Sequence, residues 1–521
     1  MTGSVRAPAS PGPAASPSNP AGGRGRRAWE TLNQPGWRFG ALAVLGFVLV
    51  LLQTVRGVNQ AFDFWEHAAT VRQLILHTTN PGNSLLAIHA PSAFYSPYAL
   101  LVAVGAKVTG TGPVNALAVA GLINYWLLIA GIWWFTRVFS RHLQAVFYAL
   151  LFVWLLWGVS PWKYSGFFNL RALAAVIAYP STFATGVGLL TAALWNWSLG
   201  RPTRDRWLSA AGCTLGLAVV VLSHPVAGVA TASAMLAISL TAADRRLALL
   251  TLATAFAGAA LLSLAWPYYS IVHLWDDQGV YDPSNSVMYG SWVVHILPAF
   301  AALALFFYAT GTLNRARLGL YCLPLVAIFI YGGLSAHYGD GRVISYIVLG
   351  AQIGLADLAA NLERPALARL KGRPLAIAAA AAIAGLLVVA ELINMGGGLK
   401  GTIPGTGSAP AVYTNYRAAV TGLPASATVL TPINDGAEAA IPVYAGRLVA
   451  THRPLAFVDQ RQRLQSVYRF FSAQASPGYR QQLLDRYHVR YIVVPPGLLG
   501  EASPFGPVIR RGAFDTVAVG G

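Results

Sequence analysis

Between Phe39 and Met395 the chain is written in long apolar runs separated by short polar segments. Many of these runs reach the roughly 17–25 residues that a helix needs to cross a bilayer. The pattern predicts eleven membrane-spanning helices, over 39–56, 115–136, 143–159, 172–199, 207–222, 226–240, 247–266, 292–311, 318–334, 343–358 and 374–395. One further apolar piece, "SPYALLVAVGAKV", is 13 residues long. That length suits an interfacial or re-entrant segment.

The pattern changes at both ends. Residues 1–38 are rich in Pro, Ala, Gly and Ser and carry "RGRR". They read as a disordered basic tail. The tail is too long and too polar for the n-region of a signal peptide, so the apolar run after it is expected to stay as an anchor. Residues 396–410, "GGGLKGTIPGTGSAP", read as a linker. Residues 411–521 read as a small α/β domain: "ATVLT" and "VRYIVV" look like buried strands, "DQRQRLQSVYRFFSA" and "GYRQQLLDRYH" like helices.

Charge decides how the spans thread. Only 10% of residues are charged, against roughly 25% in a typical soluble domain. The net charge of +18 does not point to nucleic acid, because the basic residues sit in short clusters between apolar runs. With the N-terminus in the cytoplasm, Arg137 and Arg141, Arg201 to Arg206, Arg245 and Arg246, Arg315 and Arg317, and Arg364 to Arg373 all fall inside, as the positive-inside rule requires. This holds only if the 13-residue piece does not cross. The first outside loop then runs over 57–114, and the C-terminal domain is extracytoplasmic. The expected class is an α-helical polytopic protein of the inner cell membrane. Cys213 and Cys322 lie within apolar runs, with no metal-ligand spacing and no expected disulfide.

The first outside loop opens with "FDFWEHAATVRQLILH". Read as a helix, it puts Asp63, His67, Thr70, Gln73 and His77 on one polar stripe, with Glu66 at its edge, and Phe64, Ala68, Val71 and Ile75 on the opposite, apolar stripe. Such a helix is expected to lie on the membrane surface, apolar side down, with its carboxylates facing a water-filled cavity. Asp63 is equally well placed to be a helix cap, since Asp is a favoured N-cap and acids suit a first turn.

The "FDFWEH" motif after an N-terminal span, the later "SAFYSPYALL", and the C-terminal "IPVYAGRLVATHRP...RFFSA...LLDRYHVRYIVV" resemble the GT-C superfamily of membrane glycosyltransferases, bacterial type. The resemblance implies transfer of a sugar from a polyprenyl-phosphate donor to an extracytoplasmic glycan, lipid or protein. It implies Asp63 as catalytic base, with Glu66 as partner or acceptor ligand. A carboxylate can take the acceptor hydroxyl's proton as that oxygen attacks the anomeric carbon; single displacement would invert that centre.

A leaving phosphate needs cations or oriented donors. Lys163 and Arg171 in "PWKYSGFFNLR" and Arg342 in "YGDGR" are the outside candidates, and each also reads as an ordinary interfacial anchor. His67 and His224 are further candidate substrate ligands, although His224 equally reads as a helix cap. Many relatives carry another acid in the second outside loop, and "SPWKYSGFFNLR" has none. Asp276 and Asp277 are the candidate substitutes, or ligands for a divalent cation such as Mg²⁺ or Mn²⁺; a solvated turn is the plainer reading. No other cofactor is indicated. A transporter or lipid flippase, or a non-catalytic assembly subunit, stays open as an alternative. No pair of Gly/Pro-interrupted spans in matching halves supports transport.

Overall fold

The computed structural model describes residues 35–60, 63–158, 162–276, 282–290, 294–296, 312–362, 411–499 and 503–520, with isolated positions between 385 and 399. Among the described residues, six helices are long and apolar enough to cross a membrane: Gly36–Val55, Pro113–Phe139, Arg204–Ser223, Arg245–Leu264, Arg315–Ser335 and Tyr338–Asn361. Large apolar side chains point outward from them, among them Val44, Leu45, Val48 and Leu52 on the first and Leu250 and Leu261 on the fourth. Water would penalise that exposure, and lipid would not.

Other expected spans come out differently. Gln144–Leu155 has 12 residues, about 18 Å at 1.5 Å per residue, well short of the hydrocarbon core. The expected 172–199 span is broken. A short turn, Leu173–Val176, precedes the helix Pro180–Ser198, because Pro180 holds Tyr179 in the extended region. Most of the 292–311 and 374–395 stretches lie outside the described residues.

The "SPYALLVAVGAKV" piece forms a 13-residue helix, Pro97–Thr109. The Ser96 hydroxyl caps it by accepting from Ala99 N–H at 3.3 Å, with Pro97 at its first position. Tyr98 OH donates to Ala178 O at 2.7 Å, and Asn124 Nδ2 donates to both Tyr98 OH and Ile177 O. These buried bonds fasten the short helix to the bundle. Close helix packing uses small residues. A Cβ on Gly131 would stand 2.8 Å from the Gly186 carbonyl, so Gly131 lets the Pro113–Phe139 and Pro180–Ser198 helices touch through their backbones.

The polar segments sort to two ends. Arg317 donates to Thr241 Oγ1 at 2.8 Å and Val138 O at 3.1 Å. This gathers three segments that the sequence places on one side. At the other end Trp266 Nε1 donates to Tyr95 O and Tyr268 OH to Thr78 O, beside the C-terminal domain.

That domain is a five-stranded sheet in the order β2-β1-β3-β5-β4. The strands are β1 (Thr428–Leu430), β2 (Arg447–Leu448), β3 (Tyr491–Val494), β4 (Val508–Arg510) and β5 (Asp515–Ala518). β1 pairs in parallel with β2 and β3, and β5 is antiparallel to β3 and β4. The first loop adds itself to the β2 edge. Leu448 N–H donates to Leu85 O at 2.8 Å, and Ala87 N–H donates to Leu448 O at 2.9 Å. One apolar core joins the two parts: Phe64, Ala68, Val71 and Leu74 of the loop helix pack with Ile441, Leu448 and Val493 of the domain.

Candidate active site

The loop helix runs Phe64–Leu76, as its periodicity predicts, but it does not lie on lipid. Phe64 and Ala68 are wholly buried and Val71 nearly so, against the C-terminal domain and neighbouring helices. The apolar stripe is therefore an intramolecular docking face. Arg72, roughly opposite Asp63 on the helix, donates to Pro442 O at 3.1 Å and strengthens the attachment.

Asp63 occupies the N-cap position, yet its side chain makes no cap hydrogen bond. Its carboxylate turns instead toward the domain, with Oδ1 3.6 Å from Arg453 Nη1. Glu66 lies one turn on, with Oε1 3.2 Å from Arg453 Nε. The same guanidinium reaches Asp435 Oδ1 at 3.5 Å and Glu438 Oε2 at 3.8 Å. Four carboxylates thus converge on one arginine. Glu66 and Glu438 are buried, while Asp63 and Asp435 remain substantially exposed. Burial, with Asp63 nearby, holds the Glu66 carboxyl well above the usual carboxylate range, and Arg453 works against that rise.

The domain builds its share from a helix start and a loop. Asn434 caps the helix Asp435–Tyr444 by accepting from Ala437 N–H at 2.9 Å. Asp435 and Glu438 follow in its first turn, three residues apart and so on one face. After β2 the chain enters "THRP". Gln460 pins this loop: its Nε2 donates to Thr451 O and Arg453 O, and its Oε1 accepts from Leu455 N–H. His452 N–H donates to Glu438 Oε1 at 2.7 Å. The His452 ring lies between the two acids, with Nδ1 2.7 Å from Glu438 Oε2 and Nε2 3.1 Å from Asp435 Oδ1. The hydrogen bond to Glu438 raises the His452 pKa despite partial burial.

A second group is basic. His67 sits between Phe94 and Tyr179, at ring-centroid distances of 5.6 and 5.1 Å. Burial pulls its pKa down to about 4, against the opposing pull of Asp63. His224 caps the helix Pro225–Leu240 through Nδ1, which accepts from Ala227 N–H at 3.2 Å. Burial, then Arg342 and His67, lowers it to about 3. Both rings are therefore neutral near pH 7. Arg342 is held by Asn285 Oδ1 at 2.9 Å and Ser165 Oγ at 3.3 Å. Tyr179 lies between the two groups. Burial raises its hydroxyl pKa, and the Asp63 and Glu66 charges add to the rise.

The sequence candidates therefore fall in four places. Asp63 and Glu66 meet around Arg453. His67, His224 and Arg342 neighbour one another electrostatically. Lys163 stands exposed on the loop that carries Ser165, and Arg171 is half-buried further along it. Asp276 ends the short helix Ile271–Asp276, while Asp277 lies outside the described residues. Sequence reasoning did not single out Asp435, Glu438, His452 or Arg453. The available signal was the capped acid pair in "NDGAE" and the basic pair in "THRP"; nothing local tied either to Asp63.

No family model and no curated protein matches the sequence. Among solved structures the chain is similar to the arabinofuranosyltransferase AftD from mycobacteria, determined by cryo-electron microscopy. A point variant of that enzyme superposes with a TM-score of 0.52 at 18% identity, covering 93% of this chain and 41% of the enzyme. The enzyme without the variant's label gives 0.50 at 15% identity, over 93% and 40%. The chain thus spans about two fifths of the length of these neighbours. At such identity the likeness is one of fold.

Proposed function

We propose that this chain is an integral-membrane glycosyltransferase that uses a polyprenyl-phosphate sugar and an extracytoplasmic acceptor. The observation that carries the proposal is the uncapped, half-exposed Asp63 carboxylate at the start of the loop helix, aimed at the junction with the C-terminal domain. Its geometry disfavours a purely structural cap. The likeness to AftD makes an arabinofuranosyl donor the first to test.

In the proposed reaction Asp63 takes the proton of the acceptor hydroxyl. The oxygen attacks the anomeric carbon, the bond from that carbon to the phosphate oxygen breaks, and polyprenyl phosphate leaves with the electron pair. Displacement in one step inverts the centre. Arg453 fixes the carboxylates, and Glu66 orients the acceptor. Arg342 faces the leaving phosphate as a permanent charge, with neutral His67 and His224 as hydrogen-bonding neighbours. Lys163 and Arg171 guide the anionic carrier from the rim. The acids lie outside the apolar helices, which favours surface chemistry over passage through the bilayer.

The test is transfer by the purified chain from radiolabelled polyprenyl-phosphate sugars to a cell-envelope extract. Asp63→Asn removes the base while keeping size and polarity. Turnover should fall about 10²–10⁴-fold with the melting temperature kept, and Glu66→Gln should be milder. Transfer by Asp63→Asn at the wild-type rate, or no labelled product from wild type with any donor, would refute the assignment.

A further inference from the structure

The acid cluster has more negative charge than its visible partners balance. Four of the chain's 18 acidic side chains face one guanidinium and one imidazole, in a protein whose net charge is +18. Two of those carboxylates, Glu66 and Glu438, are buried. Excess charge of one sign in a partly buried pocket is costly unless a proton, as at Glu66, or a counter-ion is taken up.

The domain side of the pocket has the donors for one. Asp435, Glu438 and His452 each offer a ligand atom, and the three atoms lie within 4.8 Å of one another. Ligands at about 2.0–2.2 Å from a common ion fit inside that span. Glu438 is 3% exposed. Its Oε1 is occupied by the His452 N–H, and its buried Oε2 lies 2.7 Å from His452 Nδ1. The backbone bond thus turns Oε2 toward the cluster, as outer-sphere contacts orient metal ligands elsewhere. Gln460 and Asn434 hold the loop and the helix start that carry the other two donors. Asp435 and His452 are open to solvent, so an ion can enter and keep free coordination positions.

We propose that Asp435, Glu438 and His452 form a divalent-cation site on the domain side of the acidic pocket, distinct from the Asp276–Asp277 pair read from the sequence. The donor set of one nitrogen and two carboxylates suits Mn²⁺ or Zn²⁺ better than Ca²⁺ or Mg²⁺, which prefer oxygen alone. The ion would stand across Arg453 from Asp63. Its free positions take water or an oxygen of the bound substrate. This role deepens the glycosyltransferase reading and rests on it; the ion site itself does not.

The experiment is Mn²⁺ titration of the full chain, purified in detergent and stripped with EDTA, read by electron paramagnetic resonance. One Mn²⁺ should bind per chain, and Zn²⁺ should displace it. His452→Gln and Asp435→Asn change exposed side chains. Each should weaken binding at least about tenfold, the lower end of what even outer-sphere losses cost, with melting unchanged. Asp244→Asn, at a distant helix cap, should bind as wild type. No stoichiometric Mn²⁺ in wild type, or equal affinity in the two ligand variants, overturns the site. If Mn²⁺ binding fails while Asp63→Asn still abolishes transfer, only the ion site falls. If Mn²⁺ binds and Asp63→Asn transfers normally, only the catalytic assignment falls.

Discussion

Replacing Arg453 with Met tests whether one guanidinium holds the loop helix and the C-terminal domain together. The side chain fits the same stem volume but leaves four acids without their shared cation. Glu66 and Glu438 matter most, because their side chains are 7% and 2% exposed. At 3.2 and 3.8 Å from Arg453 Nε, with an effective dielectric of about 20, the gross attractions are about 5 and about 4 kcal/mol. Desolvation of the charges offsets much of this. Breaking such a buried arrangement typically costs about 3–5 kcal/mol. Asp63 and Asp435, at 46% and 67% exposure, add about 0–1 kcal/mol each. Melting followed by tryptophan fluorescence should show the loss at pH 8. The loss should shrink at pH 5 for a reason that fixes its sign. Glu66 has a folded-state pKa above its ordinary 4.5, so the folded state holds the extra proton. The stability this gives is complete below about 4.5 and is lost as pH rises through the raised value. Removing Arg453 removes the one influence that lowers that value and widens the window. Arg453→Lys should fall between wild type and Met, since it keeps charge but loses the fork. A melting temperature equal to wild type, or a penalty identical at both pH values, would refute the reasoning.

Arg342→Ala and Lys163→Ala should weaken donor binding more than acceptor binding, by about 1.5–3 kcal/mol for one charge-assisted hydrogen bond; isotope-dilution binding with a polyprenyl phosphate checks this, and unchanged donor affinity in both variants moves the phosphate elsewhere. Cysteines placed at Thr203, Ala243 and Arg315 should be shielded from an impermeant thiol reagent in intact cells, and one at Ser408 should react. The native Cys213 and Cys322 are buried and should give little background. Labelling at the first three positions would reverse the orientation and the side on which the acids lie.

Local pattern made much of the scaffold legible. The polar face of the loop helix, the short apolar helix at Pro97–Thr109, the strands at Thr428 and Tyr491 and the helices at Gln460 and Pro477 all follow from periodicity and punctuation. Several elements were harder to read. The helix Asp435–Tyr444 contains Pro442, which reads as a breaker. β2 is two residues long, and β4 and β5 carry too little alternation to stand out. Span length also failed at Gln144–Leu155 and at Tyr179–Pro180, where tertiary packing and a proline ended helices that hydropathy alone would extend.

The misread face of the loop helix explains why half of the acidic cluster was invisible. Phe64, Ala68 and Val71 present an apolar stripe that fits lipid and protein equally well by sequence, because both are apolar solvents for it. Only the domain's shape decides between them, and the domain lies far along the chain: Arg72 meets Pro442 across 370 positions. Once that stripe is docked, geometry sets the rest. Asp63 and Glu66 on the other edge of the helix are carried to the loop that follows β2, and Leu86 joins Leu448 at the sheet edge to fix the register. A single seam therefore positions Arg453 against acids that no sequence neighbour could supply. The domain is a structural part of the pocket, so loosening the seam should disturb the pocket's electrostatics before it disturbs the membrane helices.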